Sequence, residues 1–333
     1  MAAPWSGDVG PRPDDAPLPS PPPDDPESLS RAVKDAARAL GFDACGVAAA
    51  TAEADDGFDA WMDAGHAAGM DWMRRTRDLR QNAALKLPGV RSVVVVAAGY
   101  AQPRPPTPPD HGKVALYACF RDYHRVLLPR VRLLGKRLTE LAPETEHYAC
   151  VDSGPVRERA WAARAGLGWI GKNSLLLHWE LGSWLFLGAL LTTAELAPDT
   201  PAADRCGACR ACLDACPTGA IVAPRVVDSN RCIAYHTIEN KGAVPEEVGS
   251  RLGDWVFGCD ACQEVCPWNR RAPRTAEPDF LLRPEAACPP LDALADMTEG
   301  TFGARFNGTP VRRAGLEGMR RNARAVRRNR GDA

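Results

Sequence analysis

Eight cysteines between Cys206 and Cys266 constrain this chain more than any other feature. The first run reads Cys206-x2-Cys209-x2-Cys212-x3-Cys216-Pro217, the second Cys259-x2-Cys262-x3-Cys266-Pro267, and Cys232 stands between them. Thiolates are soft, anionic ligands suited to iron–sulfur clusters, and two-residue gaps let successive sulfurs face one inorganic centre. A polypeptide carrying such runs must fold its loops around metal.

In proteins with two such clusters, the fourth cysteine of a run ligates the other cluster. Applied here, that rule gives two complete sets. Cys206, Cys209, Cys212 and Cys266 hold the first [4Fe-4S] cluster; Cys216, Cys232, Cys259 and Cys262 hold the second. A pair of four-cysteine zinc sites is the bland alternative, disfavoured by the spacing and the following prolines. Cys45, Cys119, Cys150 and Cys288 lack such neighbours and read as small core residues.

Composition narrows the compartment. A net charge of −1 over 333 residues makes the chain no polycation, so any nucleic-acid contact rests on a local basic patch. Residues Met1 to Pro26 hold nine prolines and five aspartates with no apolar signal core, and read as a disordered tail. No apolar run approaches the roughly 20 residues of a membrane span. Clustered thiols then point to a soluble, reducing, cytoplasmic setting.

An amphipathic helix is expected near Glu27 to Leu40, stopping at Gly41. Val93 to Val96 reads as a buried strand and Asp122 to Leu141 as a helix. Pro103 to Pro109 mark an exposed loop. Tyr148 to Val151 reads as a strand feeding Asp152-Ser-Gly-Pro155, with Pro155 opening a helix that Gly166 ends. Ser174–Leu177 and Ser183–Thr192 read as a strand pair around Gly182. Leu316, Met319, Ala323 and Val326 form one apolar stripe of a terminal helix. The domain reading is a tail (1–26), a catalytic domain (27–197), a ferredoxin-like two-cluster domain (198–272) and a C-terminal helical segment with a basic tail (273–333).

Taken alone, Asp152 and Ser153 are helix-capping residues, and Lys172 beside Gly171 faces a phosphate or water. Together with their surroundings they carry a resemblance. Val151-Asp-Ser-Gly-Pro155, Ala165-Gly-Leu-Gly-Trp-Ile-Gly-Lys-Asn173, Gly182-Ser183, the cysteine runs and Cys232-Ile-Ala-Tyr-His-Thr-Ile-Glu239 resemble the epoxyqueuosine reductases, cobalamin-dependent enzymes of tRNA queuosine synthesis. Gly69-Met-Asp-Trp-Met73, Asp122-Tyr-His124 and Arg321-Asn322-Ala323 match further family patches.

The resemblance implies an α+β, nitroreductase-like cobalamin-binding domain joined to a ferredoxin-like domain. It implies reduction of epoxyqueuosine to queuosine at the tRNA wobble position, with cobalamin doing the chemistry and two [4Fe-4S] clusters feeding it electrons. Asp152 takes the position of the family's proton donor. Cobalamin contacts carry over to Arg75, Tyr117, Asp152, Asn173, Leu176, Leu187, Ala234 and the segment Cys259, Asp260, Ala261 and Cys262. Lys241 matches a position linked to tRNA. Ala234 and His236 depart from the family pattern. Asp122-Tyr-His124 nearly matches the Asp-x-His-x-x-Gly pattern by which some cobalamin proteins supply a histidine to cobalt, but the glycine is absent, so no histidine is expected on cobalt and His124 is expected to be a hydrogen-bonder. An unidentified low-potential electron donor and a monomeric state complete the expectation.

A helix dipole at Asp152 would favour its anion, whereas proton donation needs burial to raise its pKa. Arg320, Arg324 and Arg328, four apart on the terminal helix, either track phosphates or form a solvated face. Three rivals predict different contents: a reductive dehalogenase, a non-catalytic electron-transfer module without corrinoid, and a zinc protein.

Overall fold

The computed structural model describes residues 25–51 and 57–331. The proline-rich segment 1–24 lies outside the described residues, but Asp25 and Pro26 do not. Pro26 opens the first helix, Pro26–Ala39, at a position where its missing N–H costs nothing, and the Asp25 carboxylate accepts from the Ser28 amide. Gly41, at φ +81°, turns the chain out of it.

The centre is a four-stranded antiparallel sheet in the order Ala44–Ala49, Ser92–Gly99, Leu185–Thr192, His147–Cys150. Val93 to Val96 are fully buried because both sheet faces are covered. One face packs on the Pro26–Ala39 and Tyr123–Leu141 helices through Val33, Leu127, Val131 and Leu134. The other packs on Trp161, Ala162 and Leu167. The strand Ala44–Ala49 escaped the sequence reading, since Ala and Gly carry little strand signal. Gly46 is required there, because a Cβ would sit 2.1 Å from the Ala165 carbonyl oxygen.

Two sequence expectations are corrected. Leu176–Leu177 does not pair with Leu185–Thr192; it pairs with Trp169–Ile170, and Leu185–Thr192 lies mid-sheet. Pro155 does not open a helix. That helix is Glu158–Arg164, so residues 152–157 form a loop, and Asp152 stands six residues before Glu158.

The cysteine-rich segment is stitched into the body rather than hung from it. Trp255–Phe257 adds parallel to Lys113–Val114, and Ile233, Val256 and Phe257 join the main core. The Gly315–Arg330 helix buries Leu316, Met319, Ala323 and Val326 as its stripe predicts. Buried Asn322 donates to the Thr237 and Val256 carbonyls at 2.9 and 2.8 Å. Arg321 donates to the carbonyls of His236, Asn240 and Gly242. The terminal helix therefore clamps the segment from Cys232 to Cys259.

Asn322→Ala leaves two buried carbonyls without donors, at roughly 1–3 kcal/mol each. The expected result is a cofactor-loaded protein that melts several degrees lower, measured by circular dichroism. An unchanged melting temperature would show that the clamp contributes nothing.

Candidate active site and cluster sites

The thiols expected to hold the first cluster lie together. Cys206, Cys209, Cys212 and Cys266 line one cavity of about 280 Å³, with Lys172, Asn173, Leu177 and Trp268 on its walls. A single zinc ion with thiolates at ~2.3 Å encloses far less space. The Cys266 thiol is pushed up by burial and by its neighbours Cys206 and Cys209, and Cys212 by burial and by Cys266 and Cys206. Burial also raises Cys232, Cys259 and Cys262, and in each the next thiols belong to the same second set: Cys216 beside Cys232, Cys232 and Cys216 beside Cys259, Cys259 and Cys232 beside Cys262. Cys262 also feels Cys212, so the two sets are neighbours. All twelve cysteines are free. Cys119, Cys150 and Cys288 are buried and Cys45 packs against the core, as small core residues should.

Asp152 lies just beyond the strand His147–Cys150, at φ +56°, a left-handed conformation that Asp tolerates better than most residues. Its side chain is 67% accessible, although Tyr123, His124 and Arg159 crowd it. Groups both densely surrounded and open to water line a cleft. The Asp152 charge is felt at Tyr117 and at Arg313, so these two residues lie near it.

His124 controls the charge of Asp152. Asp122 caps the Tyr123–Leu141 helix at the His124 amide, and the same carboxylate sits 2.7 Å from His124 Nδ1. His124 Nε2 then lies 3.3 Å from Asp152 Oδ2. Burial pushes the imidazole down, but its two carboxylate partners win and raise it to about 9. Burial likewise pushes Asp152 up, yet His124 and the Tyr123 hydroxyl hold it below the ordinary carboxylate range. A helix dipole plays no part, because the nearest helix starts six residues later. Tyr123 is fixed by stacking on Phe186, with ring centroids 4.4 Å apart and planes at 8°.

Glu158 is a second carboxyl at this site that the sequence reading did not single out. Burial, then the Asp152 charge, push it up to about 7, and it accepts from the Asp152 amide. Arg80, buried beneath the loop, faces the carbonyls of Gly154 and Val156, while Arg157 donates to the Arg80 carbonyl at 3.0 Å. Helical Arg80 has no motif around it and only the fold reveals its role.

The remaining expected contacts divide. Tyr117 packs against Gly258, one residue before Cys259. Ala234 is half-buried on the Ile233–Ile238 helix beside Cys232, and Arg75 is exposed. Leu187 is half-buried in the central sheet, whereas Leu176 is buried in core, leaving its backbone as the group available to a ligand. The Asn173 side chain lines the cavity of the first cysteine set rather than the Asp152 cleft. The Asp260 carboxylate points away from any cleft, to Arg104 and to the Leu116 amide. Lys241 spends its ammonium on the carbonyls of Ile238, Arg313 and Ala314. Arg320 and Arg324 donate to the carbonyls of Met297 and Ala295, so two of the three expected phosphate-facing arginines have internal partners, while Arg328 is exposed. His236 is buried and its Nε2 lies 2.7 Å from the Asn230 carbonyl, a structural role.

Comparison with known proteins agrees with this geometry. A family model described as the 4Fe-4S double cluster binding domain matches residues 205–269, and one described as Epoxyqueuosine reductase QueG, DUF1730, matches residues 80–153. The epoxyqueuosine reductase of Gloeobacter violaceus is 43% identical over 311 residues, covering 90% of this chain and 96% of its own. The chain belongs to the epoxyqueuosine reductase family. The epoxyqueuosine reductase of Vibrio cholerae is 39% identical, with 89% of this chain and 82% of the relative covered. A solved epoxyqueuosine reductase with an epoxyqueuosine-modified tRNA-Tyr stem loop superposes with a TM-score of 0.85 at 30% identity, over 92% of this chain and 82% of that one. The Bacillus subtilis epoxyqueuosine reductase, with its catalytic aspartate loop swung out of the active site, superposes at 0.83 with 29% identity and the same coverage. This family member is thus an α+β reductase with an iron–sulfur double-cluster domain. Among the described residues no helix is long and apolar enough to cross a membrane.

Proposed function

We propose that this chain reduces epoxyqueuosine to queuosine in tRNA, in the cytoplasm, with cobalamin in the cleft before Asp152 and two [4Fe-4S] clusters in the crossed cysteine sets. The observation that carries the reading is the Asp122–His124–Asp152 chain at an open cleft whose far wall leads to Cys259. Reduced to its balance, epoxide to alkene takes two electrons and two protons and releases water.

The cleft suits a large flat ligand: the Asp152 side chain is two-thirds open to water, and Tyr117 and Tyr123 set aromatic rings edge to face beside it. Arg75, Tyr117, Ala234, the backbone at Leu176 and the Cys259–Cys262 segment are the groups that would hold it, with Asn173 and Leu187 assigned through the family alone. Bound cobalamin supplies the reducing chemistry at the epoxide carbon. Asp152 protonates the departing oxygen with a proton drawn from His124, which is charged below about pH 9. Glu158, protonated below about pH 7, keeps a second proton within the same wall. Lys241 and the cleft-rim Arg313 are the proposed tRNA contacts; Lys241 must exchange its carbonyl partners for phosphate to serve. A low-potential one-electron donor and a monomer complete the reading.

The test is anaerobic reconstitution with iron, sulfide and cobalamin, a strong reductant and epoxyqueuosine tRNA, followed by mass spectrometry of the nucleosides. Cobalamin-dependent loss of one oxygen supports the proposal. Intact clusters with no corrinoid bound and no oxygen lost would leave only an electron-transfer module.

His124 sets the pH profile. Because its folded pKa lies above the free value, the donor is loaded on the acid side and emptied as pH rises through about 9. The rate constant should hold below that pH and fall above it. In His124→Asn the alkaline limb should move toward the carboxylate range and kcat should drop about 10²-fold at neutral pH. An unmoved limb would remove His124 from the proton path.

A further inference from the structure

Two side chains from the catalytic domain reach the first cysteine set. Trp169, 3% exposed, donates its indole N–H to Cys206 Sγ at 3.4 Å. Its position is fixed twice, by pairing of Trp169–Ile170 with Leu176–Leu177 and by the edge of Trp268 at 4.9 Å and 75°. Lys172, three residues on, sends its ammonium into the cysteine loop, donating to the carbonyls of Gly207 and Cys209 at 2.7 and 2.8 Å. The second set has a different charged neighbour, the Asp260 carboxylate paired with Arg104.

Hydrogen bonds to sulfur and net local charge set the potential of an iron–sulfur centre. One-electron reduction makes the cluster more negative and breaks no bond. An N–H aimed at a cluster sulfur and a cation beside the loop therefore favour the reduced form. We propose that Trp169 and Lys172 hold the reduction potential of the first cluster above that of the second, making the first cluster the place where an electron from a low-potential one-electron donor rests. The second cluster, nearer Tyr117 and the cleft, passes electrons on. The catalytic domain thus tunes the centre it draws from, and the Gly166–Asn173 segment acts through the cluster, its residues being positioning rather than catalytic residues.

This inference rests on the crossed ligand sets. The full chain is reconstituted anaerobically, its iron and sulfide counted, and both clusters titrated against potential by EPR. In Trp169→Phe and Lys172→Met the same one of the two midpoints should fall, by about 59 mV for a tenfold loss in the equilibrium constant of a one-electron step. The other midpoint should stay, and Lys172→Arg should restore the wild-type value. A purely structural Trp169 would give lost iron with unshifted midpoints for what remains. Full occupancy with both midpoints unmoved in Trp169→Phe overturns the proposal. Should Trp169→Phe fail to retain iron, wild-type protein labelled with indole-15N tryptophan decides: pulsed EPR of the reduced first cluster either shows the nitrogen coupling, or its absence overturns the hydrogen bond. Wild-type protein that binds only one cluster refutes the ligand sets instead, a separate failure.

Discussion

Asp152→Asn protein, loaded with iron, sulfide and cobalamin, is expected to convert epoxyqueuosine tRNA about 10²–10⁴-fold more slowly than the wild type. The amide keeps the size of the carboxyl and can still meet His124 and Tyr123, so the cleft stays intact. It cannot pass a proton from His124 to the leaving oxygen. Binding of tRNA should change little, because the loss falls on a step after binding, and kcat and kcat/KM should drop together. Single-turnover assays at saturating tRNA separate this from weakened binding. Full turnover by the Asn variant would sink the proton-donor assignment and leave water or Glu158 as the source.

The charge on Asp152 resolves a conflict posed by the sequence. A helix dipole would hold Asp152 anionic and burial would keep it neutral. Neither governs. The helix begins at Glu158, and the imidazolium of His124 holds the carboxylate low while keeping the proton 3.3 Å away. A pair sharing one proton serves as donor without requiring a protonated Asp. The loop geometry allows for this: Asp152 at φ +56° is held by Tyr123 and His124 in front, and Arg80 lies behind.

What the sequence made legible was what spacing encodes. Cysteine gaps mark an iron–sulfur double-cluster segment, and the stripe of Leu316, Met319, Ala323 and Val326 marks the buried face of the terminal helix. What it hid depends on contacts between distant segments. The helix start at Glu158 was misread because a Pro three residues earlier mimics a helix-opening signal. Leu176–Leu177 was paired with the wrong strand because local apolar runs carry no information about partners. Lys241, Arg320 and Arg324 looked available to phosphate, but tertiary structure supplies carbonyls 72, 23 and 29 residues away. Arg80 and Glu158 had no local signature; only folding brings them behind Asp152.

The crossing of the ligand sets yields the second large effect, one that sequence proximity would get wrong. Cys206→Ala with Cys266→Ala removes two cysteines 60 residues apart in sequence that line one cavity. That double variant should lose one cluster and keep about four of about eight irons. Cys206→Ala with Cys216→Ala, both in the first run, should lose both clusters and nearly all iron, because Cys216 sits with Cys232 and Cys259. Iron and sulfide analysis of the purified proteins reads the outcome directly, and EPR of the reduced samples counts the surviving spins. If each run held its own cluster, the two results would be reversed. The crossing also ties the clusters mechanically. Cys262 feels Cys212 of the other set, so the two thiol sets are neighbours on interleaved loops. The terminal helix clamps the segment from Cys232 to Cys259 through Asn322 and Arg321, so it braces the second cluster more than the first.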